Sequence, residues 1–366
     1  MTPARAGSRG PTAPRGDHLC YRSQAAMLKN FWYACHLSSE ITNKPTQLRM
    51  LGHEFVLYRD AAGKVVALDD RCPHRGASLA GGTVEAGCVV CPYHGWRFDQ
   101  AGACVKIPAN RDGAKIPRKA DLRSYPTDER YGWVWLFVGD LPEAERPPIP
   151  PFPEYGDPKW KAMHGTFLWK AHYTRVVENG MDIAHAPFVH RRTFGNPNRP
   201  EVDDYEIVHH PWGASAEVSL VAPPPGGLWS LFLPKERPPV KTRVGFYMPS
   251  ITRLDLDLGS MKMIILDSNI PIDEDHTLTR WIMLRDFFRG DWADGNARKR
   301  TLQIFEEDQP IVEAQRPKAV PLDMSREVHA KSDAIPLVFR KLRRECIVER
   351  GWAIDWTEAD AEAPPA

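Results

Sequence analysis

The sequence contains two short segments with the same pattern, Cys72-Pro73-His74-Arg75-Gly76 and Cys91-Pro92-Tyr93-His94-Gly95-Trp96. These two segments are predicted loops and say most about the fold of the chain. Each loop offers one thiolate and one imidazole. The prolines stiffen the loops, and the glycines permit a tight return of the backbone. Two cysteines and two histidines can bind a [2Fe–2S] cluster, with the cysteines on one iron and the histidines on the other. The same four ligand types can also bind a tetrahedral zinc ion.

The distribution of ligands between the loops favours the cluster. Zinc sites of this composition usually pair a half with two cysteines and a half with two histidines. Here each half mixes one cysteine with one histidine, so we predict a cluster bound by Cys72, His74, Cys91 and His94. Zinc stays open as the alternative and would give a colourless protein. Because such a cluster moves one electron at a time, the rest of the chain should contain or contact an electron acceptor.

Composition places the chain among ordinary globular proteins. Its 366 residues are 42% hydrophobic and 26% charged, and its formal net charge of +1 indicates neither nucleic acid nor an acidic membrane as a partner. No apolar run approaches the roughly 18 residues that span a bilayer. The odd number of cysteines, seven, favours reduced thiols and a cytoplasmic location. Residues 1–25 lack the apolar core of a secretion signal, and we predict a disordered leader there and a disordered tail over residues 357–366.

The pattern along the chain predicts an α+β protein with two domains. Residues 26–141 carry β signals, including hairpins at His53–Leu68 and Trp96–Ile107, and the proline-rich residues 142–152 form a linker. Residues 153–356 form a second domain with an interrupted helix over Trp169–His190. A loop at Pro223–Pro239 is a candidate lid. The remaining predicted elements of this domain are the strands Glu217–Val221, Val240–Tyr247, Arg253–Leu258, Met261–Ile270 and Thr277–Phe287, and the helices Ala297–Gln315 and Ile335–Glu349.

Polar residues in the interrupted helix suggest a second metal site. On one helix, Asn179, Asp182 and His185 would lie along a single face. His190 follows His185 by five residues, about 140° around an ideal helix, so a straight helix could not bring both imidazoles to one ion. Pro187 lies between them, and we expect it to kink or end the helix and so return His190 to the metal. The alternative is a helix with two incidental histidines.

Asp308 is the candidate for a third, carboxylate ligand, because two histidines and one carboxylate bind non-heme Fe(II) and leave positions open for O2. It lies within the apolar stripe of the helix Ala297–Gln315, where an unpaired charge would be costly. An ion pair with a buried arginine is the alternative. The neighbouring acids Glu306, Glu307 and Glu313 are expected to be solvated.

Together these motifs resemble those of the Rieske non-heme iron oxygenases over nearly the whole chain. The loops match soluble Rieske domains, because respiratory Rieske proteins have an extra cysteine in each loop where this chain has Ala77 and Tyr93. The resemblance implies an all-β Rieske [2Fe–2S] domain followed by a helix-grip (START-like) catalytic domain with a central antiparallel sheet.

The resemblance also implies roles for the second set of residues. The family's N-D-H-H pattern matches Asn179, Asp182, His185 and His190, and its E-D-x-x-x-x-E-A-Q pattern matches residues 307–315. His185, His190 and Asp308 would bind a mononuclear Fe(II). Asp182, with Asn179 beside it, would be the acid that joins the two metal centres. Family members are usually head-to-tail homotrimers, in which this acid would reach His74 or His94 of the next subunit.

The implied function is that of a terminal oxygenase component. It would use O2 and electrons from a separate NAD(P)H-dependent reductase or ferredoxin to hydroxylate, or oxidatively dealkylate, a small aromatic or alkaloid-like compound. The chain resembles the single-subunit branch, which includes O-demethylases, aminopyrrolnitrin oxygenase and saxitoxin-pathway hydroxylases, so monooxygenation is expected rather than dioxygenation. An electron carrier or sensor that uses the cluster alone is the alternative function.

Overall fold

The computed structural model describes residues 25–221 and 239–354. The leader, the tail and the candidate lid at Pro223–Pro239 therefore lie outside the described residues, except for Ala25 and Pro239. Within the described ranges the chain forms four antiparallel sheets and a few helices. No helix in these ranges combines the length and the apolar character that crossing a membrane requires.

The N-terminal part of the chain is built from three small sheets. Their strand orders are β1-β11-β10, β2-β3-β4-β9 and β5-β6-β7-β8. The strands are β1 Phe31–Leu37, β2 Thr46–Met50, β3 His53–Arg59, β4 Val65–Asp69, β5 Thr83–Glu85, β6 Cys88–Val90, β7 Arg97–Phe98, β8 Cys104–Lys106, β9 Ser124–Tyr125, β10 Thr127–Arg130 and β11 Trp133–Val138.

The C-terminal part is built on one seven-stranded sheet of order β12-β18-β17-β16-β15-β14-β13. The strands are β12 Lys161–Trp169, β13 Ile207–His210, β14 Gly213–Leu220, β15 Val240–Tyr247, β16 Ile251–Asp257, β17 Lys262–Pro271 and β18 Thr277–Arg285. The α-helices are α1 Tyr173–Asn179, α2 Ala186–Val189, α3 Asp294–Ala314 and α4 Ala334–Arg344, which continues into a π-helical turn at Glu345–Glu349.

This architecture confirms the predicted fold class: an all-β part precedes a part with a large antiparallel sheet and a few helices. The two predicted hairpins and the five predicted strands are present. The prediction that helix begins at Trp169 was wrong, because this residue ends β12. Trp169 pairs with Thr277 of β18, and its indole N–H donates to Thr279 Oγ1 (2.8 Å), so pairing within the sheet outweighs local helical propensity.

The seven-stranded sheet is covered on both faces. Alternate residues of a strand point to opposite sides, and Ile264 and Leu266 of β17 pack against Trp133 and Trp135 of the N-terminal part. The opposite face packs against α3. The core on that side contains Met163, Trp169, Ala171, Val176, Trp281, Met283, Phe305 and Val312. The sheet therefore lies between Trp133 and Trp135 on one face and α3 on the other, while a further core joins β1 to α1 and α4.

The proline-rich segment between the two parts is packed rather than extended away from them. Ile149 and Phe152 are buried in the same core as Trp133 and Trp135. The Phe152 ring lies 6.5 Å from that of Trp135. The domain boundaries predicted from the sequence stay predictions, since this packing joins the segment to both parts.

One close approach in the sheet gives a stability prediction. A Cβ atom added to Gly165 of β12 would lie 2.1 Å from Trp281 Cζ2, so Gly165→Ala should displace a fully buried indole. We expect a loss of about 1–3 kcal/mol in the free energy of unfolding, measured by urea denaturation. Gly295→Ala in α3 is the control: its Cβ meets nothing within 4 Å, and stability should not fall. Equal stability of Gly165→Ala and the native chain would contradict this account of the packing.

Candidate metal centres

The two cysteine–histidine loops have the same backbone geometry. In the first, the Cys72 N–H donates to the Ala77 carbonyl (2.9 Å) and the Gly76 N–H donates to Cys72 (2.8 Å). In the second, the Cys91 N–H donates to the Trp96 carbonyl (2.8 Å), and the Gly95 N–H donates back to the Cys91 carbonyl (3.0 Å). Both loop glycines have positive φ, +73° and +69°, which favours glycine over other residues.

The loops bring together the four side chains that the sequence singles out. Cys72 and Cys91 are each 2% exposed and lie side by side, and burial raises the pKa of the Cys72 thiol to about 11. The rings of His74 and His94 are 4.5 Å apart at their centroids, and Trp96 stacks on His74 at 4.7 Å. His74 Nδ1 is shielded from solvent and has no hydrogen-bond partner within the described residues. A metal cluster fits this set, because it would ligate the sulfurs and the unpaired nitrogen.

The second group of candidates lies where the backbone leaves α1. This helix ends at Asn179, with Gly180 as its C-cap, and Asp182 Oδ1 then accepts the Ala184 N–H (2.8 Å) in a turn. The expectation that Asn179, Asp182 and His185 share one helical face was therefore wrong. A short side chain that bonds to the backbone two residues on competes with helix, which is why the break occurs there.

The helix ends at Asn179, well before Pro187, so the expectation that Pro187 causes the break was wrong. Pro187 lies in the first turn of α2, where its missing N–H costs nothing and its fixed φ suits a helix start. His185 immediately precedes α2, and His190 immediately follows it. The short helix between them turns the chain so that both imidazoles reach the same point.

Three ligand atoms converge there. His185 Nε2 lies 3.2 Å from His190 Nε2, and Asp308 Oδ1 lies 3.4 Å from the first and 3.3 Å from the second. Their ligand atoms all lie within 4.8 Å of one another, and no other group of three or more such residues in the described ranges is as close. Such separations suit ligands held at about 2.1 Å from one ion. No arginine binds Asp308 in the described structure, so the buried ion pair considered as an alternative is not formed there.

The charges around this point favour a cation. Burial by itself lowers the pKa of His185, but Asp182 and Asp308 outweigh it and raise that pKa to about 9. Burial opposes ionisation of Asp308, but the two histidines lower its pKa. Two carboxylates therefore favour positive charge at the point where the nitrogens meet, and an Fe(II) ion would provide it. The residues present fit a mononuclear iron.

Comparison with known proteins matches the two parts of the chain to two family models. Residues 31–126 match the Rieske [2Fe-2S] domain, and residues 169–349 match the vanillate O-demethylase oxygenase C-terminal domain. The chain belongs to the Rieske non-heme iron oxygenases. The family therefore uses a [2Fe–2S] cluster and a mononuclear iron, and this favours the cluster over zinc in the two loops.

Individual relatives align with the chain over different lengths. A 4beta-methylsterol monooxygenase of Methylococcus capsulatus is 38% identical over 171 residues, 45% of each chain, so the match spans about half the length of that relative. Methylxanthine N1-demethylase NdmA of Pseudomonas putida is 28% identical over 327 residues, 87% of this chain and 89% of its own. The crystal structure of dicamba monooxygenase bound to dicamba superimposes with a TM-score of 0.75 at 26% identity, covering 89% of this chain and 99% of that one.

Asp182 lies at the edge of the candidate iron site. Its Oδ2 is 3.7 Å from His185 Nδ1, and its side chain is 38% exposed. The residues on either side, Met181 and Ile183, are both buried in the core. The buried side chains of these neighbours anchor the turn that carries Asp182. Asn179, the last residue of α1, is not part of the three-residue group.

The sequence did not reveal a third acid at the iron site. His190 Nδ1 donates to Glu307 Oε2 (2.9 Å), and the Thr193 hydroxyl donates to the same oxygen (2.9 Å). The Glu307 side chain is only 12% exposed, so the expectation that it would be solvated was wrong, whereas Glu306 is exposed as expected. Glu313, also expected to be solvated, accepts the Lys170 N–H (2.9 Å). The adjacency of two acids, Glu307 and Asp308, was the signal available in the sequence.

The hydrogen bond from His190 to Glu307 gives a test that involves neither substrate nor turnover. It fixes the tautomer that leaves Nε2 free to bind metal, and loss of such a partner typically weakens metal binding about 10–100-fold. Glu307→Gln should therefore lower Fe(II) affinity by that factor, measured by competition with a ferrous chelator. Glu306→Gln, the exposed neighbour, should bind iron as the native chain does. Unchanged affinity in Glu307→Gln would exclude the orienting role.

Proposed function

We propose that this chain is the terminal oxygenase component of a Rieske system. It accepts electrons from a separate NAD(P)H-dependent reductase or ferredoxin and uses O2 to hydroxylate or oxidatively dealkylate a small organic compound. The observation that carries the proposal is the convergence of His185, His190 and Asp308 on one point in a chain that also contains the cluster loops. A pure electron carrier or sensor would have no use for this second, buried ligand set, so the alternative function is not favoured.

Each ligand set has a distinct proposed task. Cys72, His74, Cys91 and His94 hold the [2Fe–2S] cluster, with the thiols inside and the imidazoles toward the surface. His185, His190 and Asp308 hold Fe(II). When bound, the cluster supplies single electrons and the mononuclear iron supplies O2 activation. Glu307 orients the His190 ring by accepting a hydrogen bond from the Nδ1–H of His190.

Asp182 is the proposed link between the two centres. It lies beside His185, and its side chain, which is 38% exposed, can reach a partner outside its own iron site. His94 is exposed and His74 is half-buried, so both cluster imidazoles are near the surface. In a head-to-tail homotrimer, Asp182 of one copy accepts a hydrogen bond from His74 or His94 of the next. Asn179, which precedes Asp182 by three residues, supports the backbone turn between them.

The proposed substrate class follows the relatives. Their names specify a methylxanthine, a methylsterol and dicamba, and two of them are called monooxygenases and one a demethylase. We propose a small aromatic or alkaloid-like substrate and monooxygenation. We also propose a cytoplasmic location, and the division into a Rieske domain at 26–141, a linker at 142–152 and a catalytic domain at 153–356.

Iron content distinguishes the oxygenase from the electron carrier. The proposal requires about three irons per native chain, two in the cluster and one at the second site. Asp308→Ala should reduce the content to about two while the visible absorption of the cluster is retained. Glu306→Ala, on the same helix, should keep all three. A native chain with only two irons after anaerobic reconstitution, and no change in Asp308→Ala, would favour the electron carrier.

Asp182→Asn tests the link between the centres. The amide keeps the size of the side chain but loses the charge that favours a donor from the cluster histidine, so both metals should remain. Oxidation of the reduced cluster by O2 in the presence of a methoxyarene should slow by about tenfold or more, equivalent to ~1.4 kcal/mol of barrier, measured by stopped-flow absorbance. Asp203→Asn, an exposed acid, is the control. Native rates in Asp182→Asn at full metal content would exclude the link.

A further inference from the structure

A carboxylate with an unpaired oxygen lies on the iron-facing side of the seven-stranded sheet. Asp267 is in β17, and its neighbours Leu266 and Ser268 face the N-terminal part, where Ser268 Oγ donates to the Ala34 carbonyl (2.9 Å). Strand alternation therefore points Asp267 to the opposite face, toward the helices. Its Oδ1 is shielded from solvent and accepts no hydrogen bond from the described residues. Trp281 lies directly opposite Asp267 on β18 and shares its face of the sheet. Its indole lies over Gly165 of β12, the strand on the other side of β18, and so extends away from Asp267.

The other oxygen of Asp267 is the end of a directed chain of hydrogen bonds. The indole N–H of Trp169 donates to Thr279 Oγ1 (2.8 Å), whose hydroxyl donates to Asn269 Oδ1 (2.6 Å). The Asn269 amide donates to Thr252 Oγ1 (3.5 Å), and the Thr252 hydroxyl donates to Asp267 Oδ2 (3.5 Å). Every donor in this series points toward Asp267. The series fixes the orientation of the carboxylate and leaves Oδ1 as its available acceptor.

Asp267 is also close to the iron-binding segment. A Cβ on Gly180, between Asn179 and Asp182, would lie 3.0 Å from Thr252 Oγ1, so the segment packs on the residue that holds Asp267. Burial raises the pKa of Asp267 to about 7; Thr252 lowers this pKa, and the charge of Asp308 raises it. An unpaired buried acceptor is costly, and a donor supplied by a bound molecule would remove that cost.

From this geometry we infer that Asp267 determines substrate specificity: it accepts a hydrogen bond at Oδ1 from an N–H or O–H group of the substrate. This inference rests on the proposed function for the location of the substrate beside the iron. The substrate class is therefore narrower than small aromatic compounds in general. It contains a donor, best of all a protonated amine, on the part of the molecule that faces the sheet. A carboxylate or sulfonate at that position would be repelled by Asp267.

A set of ligands with the same ring tests the inference. The iron-loaded protein is titrated calorimetrically, without reductant, with 4-methoxybenzylamine, 4-methoxybenzyl alcohol and 4-methoxybenzoate. A hydrogen bond to a charged group corresponds to an affinity gain of about tenfold or more, so the amine should bind the native chain at least that much more tightly than the benzoate. Asp267→Asn should reduce the ratio to about threefold or less. Asp257→Asn, at an acid of β16 whose side chain is 40% exposed and pairs with Lys262, should leave the ratio unchanged.

Each outcome of the titration supports or contradicts the role of Asp267 as the acceptor for the substrate. Preference for the amine that disappears in Asp267→Asn and persists in Asp257→Asn supports it. Equal or tighter binding of the benzoate by the native chain, an unchanged ratio in Asp267→Asn, or no binding of any probe overturns it. Iron content verifies that the variant is folded and loaded. Because binding is measured without turnover, a failure here is distinguishable from a failure of the proposed function, which would appear as two irons per chain.

Discussion

The iron site depends on one electrostatic constraint: two imidazole nitrogens and a carboxylate oxygen lie within 3.4 Å of one another in a buried place. Unprotonated, these atoms would present only lone pairs to each other, and their mutual repulsion requires positive charge between them. Asp308 reaches this point from the buried side of α3, while the histidines arrive from the two ends of α2. The break after α1 and the position of α3 on the sheet both serve this convergence.

The sheet divides the chemistry of the chain between its two faces. On one side, Leu266 and Ser268 contact the part of the chain that carries the cluster loops. On the other, α3 brings Asp308 and Glu307 against the histidines. The sheet thus lies between these two sets of contacts, and the groups on either face are held by strands whose register leaves little freedom. Such a frame suits a protein that must hold two metal centres in fixed places.

Sequence patterns predicted the features that are local in the chain. The cluster loops are recognised from residue types and spacing within two short segments, and the strands of the large sheet from runs of apolar and β-branched residues. The helix break was misplaced, because Pro187 was given the role that belongs to Gly180 and Asp182. Glu307 and Asp267 were missed, since His190 and Thr252, which bond to them, lie more than ten positions away in the sequence. No periodicity within the chain encodes those contacts.

The first strand, β1, packs against residues well outside its own sheet. Phe31 and Tyr33 of β1 belong to one continuous core with Met181 and Ile183, the residues on either side of Asp182. The two halves are therefore not independently folding modules joined by a tether. Loss of β1 would remove the support beneath the turn that carries Asp182, so the part with the cluster loops and the part with the second ligand set should melt as a single cooperative unit.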